Sequence, residues 1–185
     1  MKEKHMLRKV LAVAVLATAA ALSSSPIATA AVGDASGSTT RERGYAISCT
    51  GEASSMSAFV LLYKNSSVTV PTEVVIEQRD AVLVASERSP SPRIRGGRVR
   101  AVVPLVDRDT RVEAGTAWVR GTYTRVGPVT RVHEVFDDAG EHIVTTGTNQ
   151  DLRTRLRVTV GSTTIPLTCD EAFAFNLKVK RTPIS

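Results

Sequence analysis

The dominant feature of the chain is an alternation of apolar and polar residues with a period of two, recurring from Gly44 to residue 180. It is clearest over residues 152–160, where Leu152, Leu156 and Val158 alternate with arginines. Successive side chains of a β-strand point to opposite faces of a sheet, so this period predicts strands with one buried face. No segment after residue 43 has the i, i+3, i+4 spacing of an amphipathic helix.

Turn residues divide the alternating region into about ten or eleven short strands, spaced about every 8–12 residues. The predicted strands cover residues 45–49, 56–64, 73–78, 81–85, 98–106, 116–126, 130–136, 142–146, 152–160, 163–169 and 172–180. Strands with one polar face are typical of antiparallel sheets that have one solvated side. The sequence therefore predicts an all-β, antiparallel, sandwich-like domain over residues 44–185, with a barrel as the other arrangement of such strands.

The first thirty residues have the three-part pattern of a signal peptide. Basic residues within positions 2–9 precede an apolar run at 10–22, and Ala28-Thr29-Ala30 supplies the small-x-small cleavage pattern. The apolar run is too short to cross a bilayer as a helix, and no longer apolar stretch follows it. We expect cleavage after Ala30 and secretion of a bacterial-type protein, extracellular or associated with the cell wall, without membrane insertion. Residues 31–43 are small and polar, which predicts a flexible leader.

The charge of the expected secreted chain is close to balanced. The full sequence has a net charge of +6, but its first thirty residues hold four of the 24 Lys and Arg residues and one of the 18 acidic residues. The remaining 20 basic and 17 acidic residues give a mild excess that favours solubility. Such a balance does not indicate a nucleic-acid partner.

The chain contains two cysteines, Cys49 and Cys169, and both follow the signal segment. In an exported protein an even pair predicts a disulfide, with two buried free thiols as the alternative. The bond would enclose most of the domain and join its first core strand to a strand near its end.

Catalytic and metal-binding motifs are not found in the sequence. His133 and His142 flank an acidic hairpin tip at residues 137–140, but neither hairpin register brings both imidazoles to one ion. We expect this tip to be a solvated turn, with weak Ca²⁺ binding as the alternative, and predict no metal or other cofactor. Without a G-x-S-x-G, H-E-x-x-H or paired C-x-x-C motif, a non-catalytic role is favoured. A secreted hydrolase whose site is assembled from distant strands is the third functional hypothesis.

Residues 86–98 form the most unusual segment of the chain. Its two prolines favour extended geometry, two glycines follow, and four arginines contribute charge: Arg88, Arg93, Arg95 and Arg98. This segment could dock on an anionic cell-wall polymer, present Arg93-Ile94 to a trypsin-like protease as an inhibitory loop, or be an ordinary solvated connection.

Two other features suggest a binding surface. Trp118 shares its predicted strand face with polar residues, which suits stacking on a sugar ring, although Trp118 could instead cover a sheet edge. The row formed by Arg153, Arg155 and Arg157 would extend to Lys178 and Lys180 as a basic stripe if the last strands are neighbours. The alternative for this row is a solvated face neutralised by acidic residues.

Taken together, these patterns predict an exported, non-catalytic binding module at the cell surface or outside the cell. Its candidate binding residues are Arg93, Arg95, Arg98 and Trp118, and its partner is an anionic cell-wall polymer or another secreted protein. A secreted protease inhibitor is the alternative function.

Signal cleavage can be tested on secreted material. Mass analysis should find an N-terminus at or within a few residues of Ala31, because the small-x-small pattern ends at Ala30. An intact N-terminus retained in the cytoplasm would contradict the prediction.

Overall fold

The computed structural model describes residues 37–87 and 89–184, which form ten β-strands joined in antiparallel pairs. The predicted signal peptide and residues 31–36 lie outside the described residues. The strands are β1 (Ser38–Ala53), β2 (Met56–Asn65), β3 (Glu73–Gln78), β4 (Ala81–Ala85), β5 (Arg93–Arg95), β6 (Arg98–Asp107), β7 (Glu113–Arg125), β8 (Thr130–Asp138), β9 (Glu141–Val160) and β10 (Thr163–Pro183). The all-β prediction is confirmed. None of the described residues belongs to a helix long and apolar enough to cross a membrane.

Several strand bounds differ from the sequence prediction. β9 and β10 each join two predicted strands, because polar stretches such as residues 147–151 keep their pairing with neighbouring strands. β5 was not predicted as a strand at all. Residues 38–43, expected in the flexible leader, pair with residues 176–181 of β10 and so belong to the sheet.

The described strands form one sheet, with the order β10-β1-β2-β3-β4-β6-β7-β9-β8 and with β5 paired to β6. A sandwich of two separate sheets is not confirmed. Because β9 also pairs with β10, eight of the strands form a closed ring, with β5 and β8 outside it. One edge of β9 pairs with β10. The other edge pairs with β8 over residues 141–149 and with β7 over residues 152–160.

The interior of the ring is filled by alternate residues of its strands. On β6, Val99, Val103 and Leu105 are fully buried, whereas Arg98 and Arg100 between and beside them are exposed. The same alternation holds on the neighbouring strands and produces one apolar core, whose fully buried members include Ile47, Val60, Leu62, Ile76, Val119, Val158 and Ile165. Removing these side chains from water is the main favourable contribution to folding.

A second apolar cluster lies on the opposite face of the sheet, where β8, β9, β10 and β1 run side by side. Ile143, Phe175 and Val179 are each less than one-tenth exposed but do not belong to the core within the ring. Phe175 stacks on Tyr63 with ring centroids 5.6 Å apart. Both faces of these strands are therefore partly apolar.

The first and last strands meet along the β1–β10 seam, which runs from the Ser38–Arg181 pair to the Thr50–Thr168 pair. Cys49 lies directly opposite Cys169 in this seam, and the two form the predicted disulfide. Next to the bond the register shifts, so that Asp170 has no opposite residue on β1 and forms a β-bulge. The disulfide therefore cross-links the two strands whose pairing closes the ring.

Removal of the Cys49–Cys169 bond is expected to destabilise the domain strongly. The bond spans 120 residues, a separation for which loop entropy predicts a loss of about 4–5 kcal/mol. Denaturant unfolding of the Cys49→Ala, Cys169→Ala double variant should show a lower midpoint, and a reducing agent should lower the wild-type midpoint similarly. The reducing agent should leave the double variant unchanged. Equal midpoints for oxidised wild type and double variant would contradict the prediction.

Candidate functional site

The outer side of four adjacent strands is covered by arginines. We call this surface the arginine face and define it as the outward residues of β5, β6, β7 and residues 152–160 of β9. Its eight arginines are all exposed: Arg93, Arg95, Arg98, Arg100, Arg120, Arg153, Arg155 and Arg157. They point outward because the residues between them, such as Val99, Val119 and Leu156, fill the core.

The strand register places these arginines directly opposite one another. Arg93 pairs with Arg100, Arg100 with Arg120, and Arg120 with Arg157, so one row of arginines crosses all four strands. Neighbouring strands are about 4.8 Å apart, so this row is about 14 Å long. A second row contains Arg95, Arg98 and Arg155, with Thr122 on β7 between the last two.

No acidic side chain compensates these charges at the outward positions from Arg93 to Arg95, 98 to 104, 116 to 124 or 153 to 159. The nearest acidic residue on these strands is Asp151, one outward position beyond Arg153. Within the described residues none of the eight arginines forms an ion pair. Like charges directly opposite each other destabilise a sheet. The arginines are therefore not explained by a contribution to folding.

An exposed apolar pair lies beside the middle of the row through Arg100 and Arg120, one outward position farther along β6 and β7. Trp118 is directly opposite Val102, and the two side chains are 40% and 41% exposed. The guanidinium carbon of Arg120 lies 4.9 Å from the centroid of the Trp118 ring. This cation–π contact restricts the orientation of Arg120 and leaves apolar surface beside it.

The β5–β6 hairpin is anchored to the body of the protein. Its two-residue turn, Gly96-Gly97, has φ values of +59° and +72°, a conformation that glycine adopts without strain. Ile94 of β5 is only 2% exposed. The backbone N–H of Tyr123 donates a hydrogen bond to the Gly97 carbonyl, which connects the turn to β7.

The segment leading into β5 is also fixed by hydrogen bonds. The backbone N–H and the hydroxyl of Thr72 both donate to the Pro90 carbonyl, and the Ser91 hydroxyl donates to the Val70 carbonyl. Thr72 is fully buried. Residues 89–98 are therefore a docked hairpin and its approach; Arg88 lies outside the described residues.

Two tyrosines support the inner side of this region. The rings of Tyr45 and Tyr123 meet edge to face, with centroids 5.3 Å apart. A hydrogen bond with Tyr123 lowers the pKa of Tyr45, whereas burial raises the pKa of Tyr123. The pair joins β1 to β7 across the interior, behind the outward arginines.

The structure brings the four predicted binding residues, Arg93, Arg95, Arg98 and Trp118, onto one surface. It also adds the predicted row of Arg153, Arg155 and Arg157, which lies beside β7. The basic stripe that was considered as an extension of this row to Lys178 and Lys180 does not form. Those lysines pair with Thr146 and Val144, in the other half of β9 and on its opposite face.

Sequence reasoning missed Arg100 and Arg120, the centre of the row. Each arginine is two residues from an identified candidate, Arg98 or Trp118, and therefore on the same strand face. The alternation therefore indicated that Arg100 and Arg120 point outward. It did not indicate the strand order, which places the two arginines opposite each other.

The histidine hairpin adopts the two-residue turn Ala139-Gly140, so Asp137 is opposite His142. The Nδ1 atom of His142 lies 2.7 Å from Oδ1 of Asp137. His133 shares this face but lies four residues farther along β8. Across residues 37–87 and 89–184, no group of three or more His, Cys, Asp or Glu side chains could hold a metal ion.

A groove of about 370 Å³ lies on the β1–β2–β3 side of the ring. Its lining includes Glu52, Glu77 and the exposed Phe59, but no arginine, lysine or histidine. The Ser57 hydroxyl donates a hydrogen bond to Glu77. This groove therefore carries two carboxylates and none of the residues of the arginine face.

Comparison of the chain with protein-family models, curated proteins and solved structures finds no match. Functional inference therefore depends on the chemistry of the arginine face.

Repulsion within the arginine face should be measurable in the protein alone. Arg100 lies opposite both Arg93 and Arg120, so Arg100→Thr is expected to raise stability at low ionic strength by about 0.2–1 kcal/mol. The gain should shrink in about 0.5 M NaCl, because salt screens exposed charges. Denaturant unfolding at both salt concentrations measures the effect. Arg79→Thr, in the β3–β4 turn, is the matched control and should change the stability little. An Arg100→Thr variant that is less stable than wild type at low salt would contradict the prediction.

Proposed function

We propose that the protein is exported with a cleaved signal peptide and acts as a non-catalytic module whose arginine face binds an anionic polymer of the cell surface. The observation that carries this proposal is the in-register row Arg93–Arg100–Arg120–Arg157, which has no acidic partner among the residues that the structure describes. Such a row opposes folding but creates a concentrated positive potential suited to an anion.

The dimensions of the face favour a polymer over a small anion. A single phosphate or carboxylate can contact two or three guanidinium groups, whereas eight arginines cover four strands here. The surface is built on an anchored sheet, so its charges are already positioned before the ligand arrives. A linear polyanion crossing the strands would meet an arginine about every 4.8 Å.

The chemistry of the side chains agrees with oxyanion groups carried on an organic backbone. A guanidinium group donates two parallel hydrogen bonds to phosphate or carboxylate oxygens. Trp118 and Val102 offer apolar contact to the uncharged part of the same ligand, such as a sugar ring. The disulfide agrees with an oxidising compartment outside the cytoplasm.

The protease-inhibitor alternative has less support from the geometry. An inhibitory loop must enter the protease cleft on both sides of the bond that it presents. For the Arg93-Ile94 bond, Ile94 is buried in the core and the backbone of β5 is paired with β6. Presentation of this bond would require Ile94 to leave the core and β5 to separate from β6.

Binding should depend on the position of the arginines and not only on their number. The variant Arg100→Thr, Arg120→Thr, Arg157→Thr removes the centre of the row, and we expect at least a tenfold loss of affinity for purified cell walls. The matched control, Arg41→Thr, Arg79→Thr, Arg108→Thr, makes the same change in net charge outside the arginine face and should bind almost like wild type. Co-sedimentation with cell walls measures binding, and melting curves confirm that both variants fold. Wild-type binding should also weaken as salt rises, because the attraction is mostly Coulombic.

Equal binding by wild type and the central-row variant would overturn the proposal, as would equal losses in the two triple variants. Binding to duplex DNA as tight as to the cell-wall polymer would contradict a cell-surface ligand. Trypsin inhibition by wild type that is lost in Arg93→Ala would support the inhibitor alternative instead.

A further inference from the structure

Strand β8 lies at the end of the strand order and, within the described part of the chain, pairs with β9 alone. Its outer edge therefore presents backbone N–H and C=O groups over the nine residues from Thr130 to Asp138. Seven of these nine residues are exposed, and no proline interrupts them. Unprotected edge strands of this length are templates for pairing with another strand.

The charges of β8 are arranged so that the strand is complementary to itself. Basic residues, Arg131 and His133, lie in its first half, and Asp137 and Asp138 lie at its end. An antiparallel neighbour with the same sequence therefore places acidic residues beside basic ones.

Two-fold symmetry limits such a pairing to a few registers, each centred on one residue that faces its own copy. Centred on Glu134, the pairing puts Arg131 opposite the second copy's Asp137 and Val132 opposite its Phe136, each twice. Centred on His133, it puts Arg131 opposite Val135 and Val132 opposite Glu134. Centred on Val135, it pairs His133 with Asp137, but it also puts Val132 opposite Asp138 and Glu134 opposite Phe136, so these two apolar side chains face carboxylates. The register centred on Glu134 is the only one of the three with two ion pairs and two apolar pairs.

The faces of the sheet agree with the same register. Phe136, which is 39% exposed, lies opposite Ile143 of β9, a member of the second apolar cluster. Val132 shares this face, so each Val132–Phe136 contact would extend the cluster across the new edge. The unfavourable contact is Glu134 against Glu134, because like charges directly opposite each other destabilise a sheet.

We propose that the protein forms a two-fold symmetric dimer in which β8 of each copy pairs antiparallel with β8 of the other, centred on Glu134. The two sheets then continue through the interface. The inference rests on β8 and the apolar cluster beside it, and it uses no residue of the arginine face. A dimer would carry two arginine faces, and a polymer that reached both would bind more tightly than to one.

Sedimentation velocity of the secreted chain over about 1–200 µM tests the pairing, a range matched to the micromolar affinities of small interfaces. Arg131→Asp and Asp137→Arg should each weaken dimerisation at least tenfold, since each places like charges opposite each other twice. The double variant should recover most of the wild-type affinity. Glu134→Gln should strengthen the dimer severalfold by removing the central repulsion. Thermal melting of each variant confirms that it folds.

A wild-type protein that stays monomeric throughout this range would overturn the proposal. So would a dimer that persists unchanged in Arg131→Asp, or a double variant as weak as the single variants. The central-row variant of the arginine face should dimerise like wild type while losing its binding to cell walls. Failure of one proposal is therefore distinguishable from failure of the other.

Discussion

The rest of the structure depends on the pairing of β1 with β10, the first and the last strand along the chain. Without this pairing the ring would be an open sheet with a long free edge on each side, and its inner face would lack a continuous apolar wall. The Cys49–Cys169 bond crosses the seam between directly opposite residues and keeps the two strands together even when local hydrogen bonds open. The core is therefore fully buried only when the ring is closed.

Closure also determines what the outer surface can carry. Each strand of the ring is held by a neighbour on both sides, so the register of β6, β7 and β9 is set by buried residues such as Val103, Val119 and Val158. Outward residues are not needed to set the register. A surface that repels itself, such as the row through Arg100 and Arg120, is tolerated because the core stabilises the same strands from the inside.

The sequence was sufficient for what is local in this fold. Alternation predicted the exact bounds of β3 and β4, the outward direction of Arg153, Arg155 and Arg157, and the strand character of almost the whole domain. It could not predict that β9 and β10 continue through polar segments, since those segments are strands only because neighbours pair with them. The same limit applies to the site: Arg98 and Trp118 were identifiable one by one, but the row through Arg100 and Arg120 exists only in the order β5-β6-β7-β9. Nor could alternation reveal β5, whose three residues are too few to show a period.

One consequence of the β1–β10 seam concerns how the domain can be attached to something else. Ser38 lies opposite Arg181, so the chain enters and leaves the described sheet at neighbouring positions. A protein fused before Ser38 or after Arg181 would therefore be attached at the same corner of the domain. The surfaces of the domain would face the same way in both fusions. Neighbouring ends also permit circular permutation: a short peptide could join them while new ends are opened in an exposed turn such as residues 108–111. In such a rearranged chain the Cys49–Cys169 bond would no longer link strands near its two ends, although the same two strands would still lie side by side.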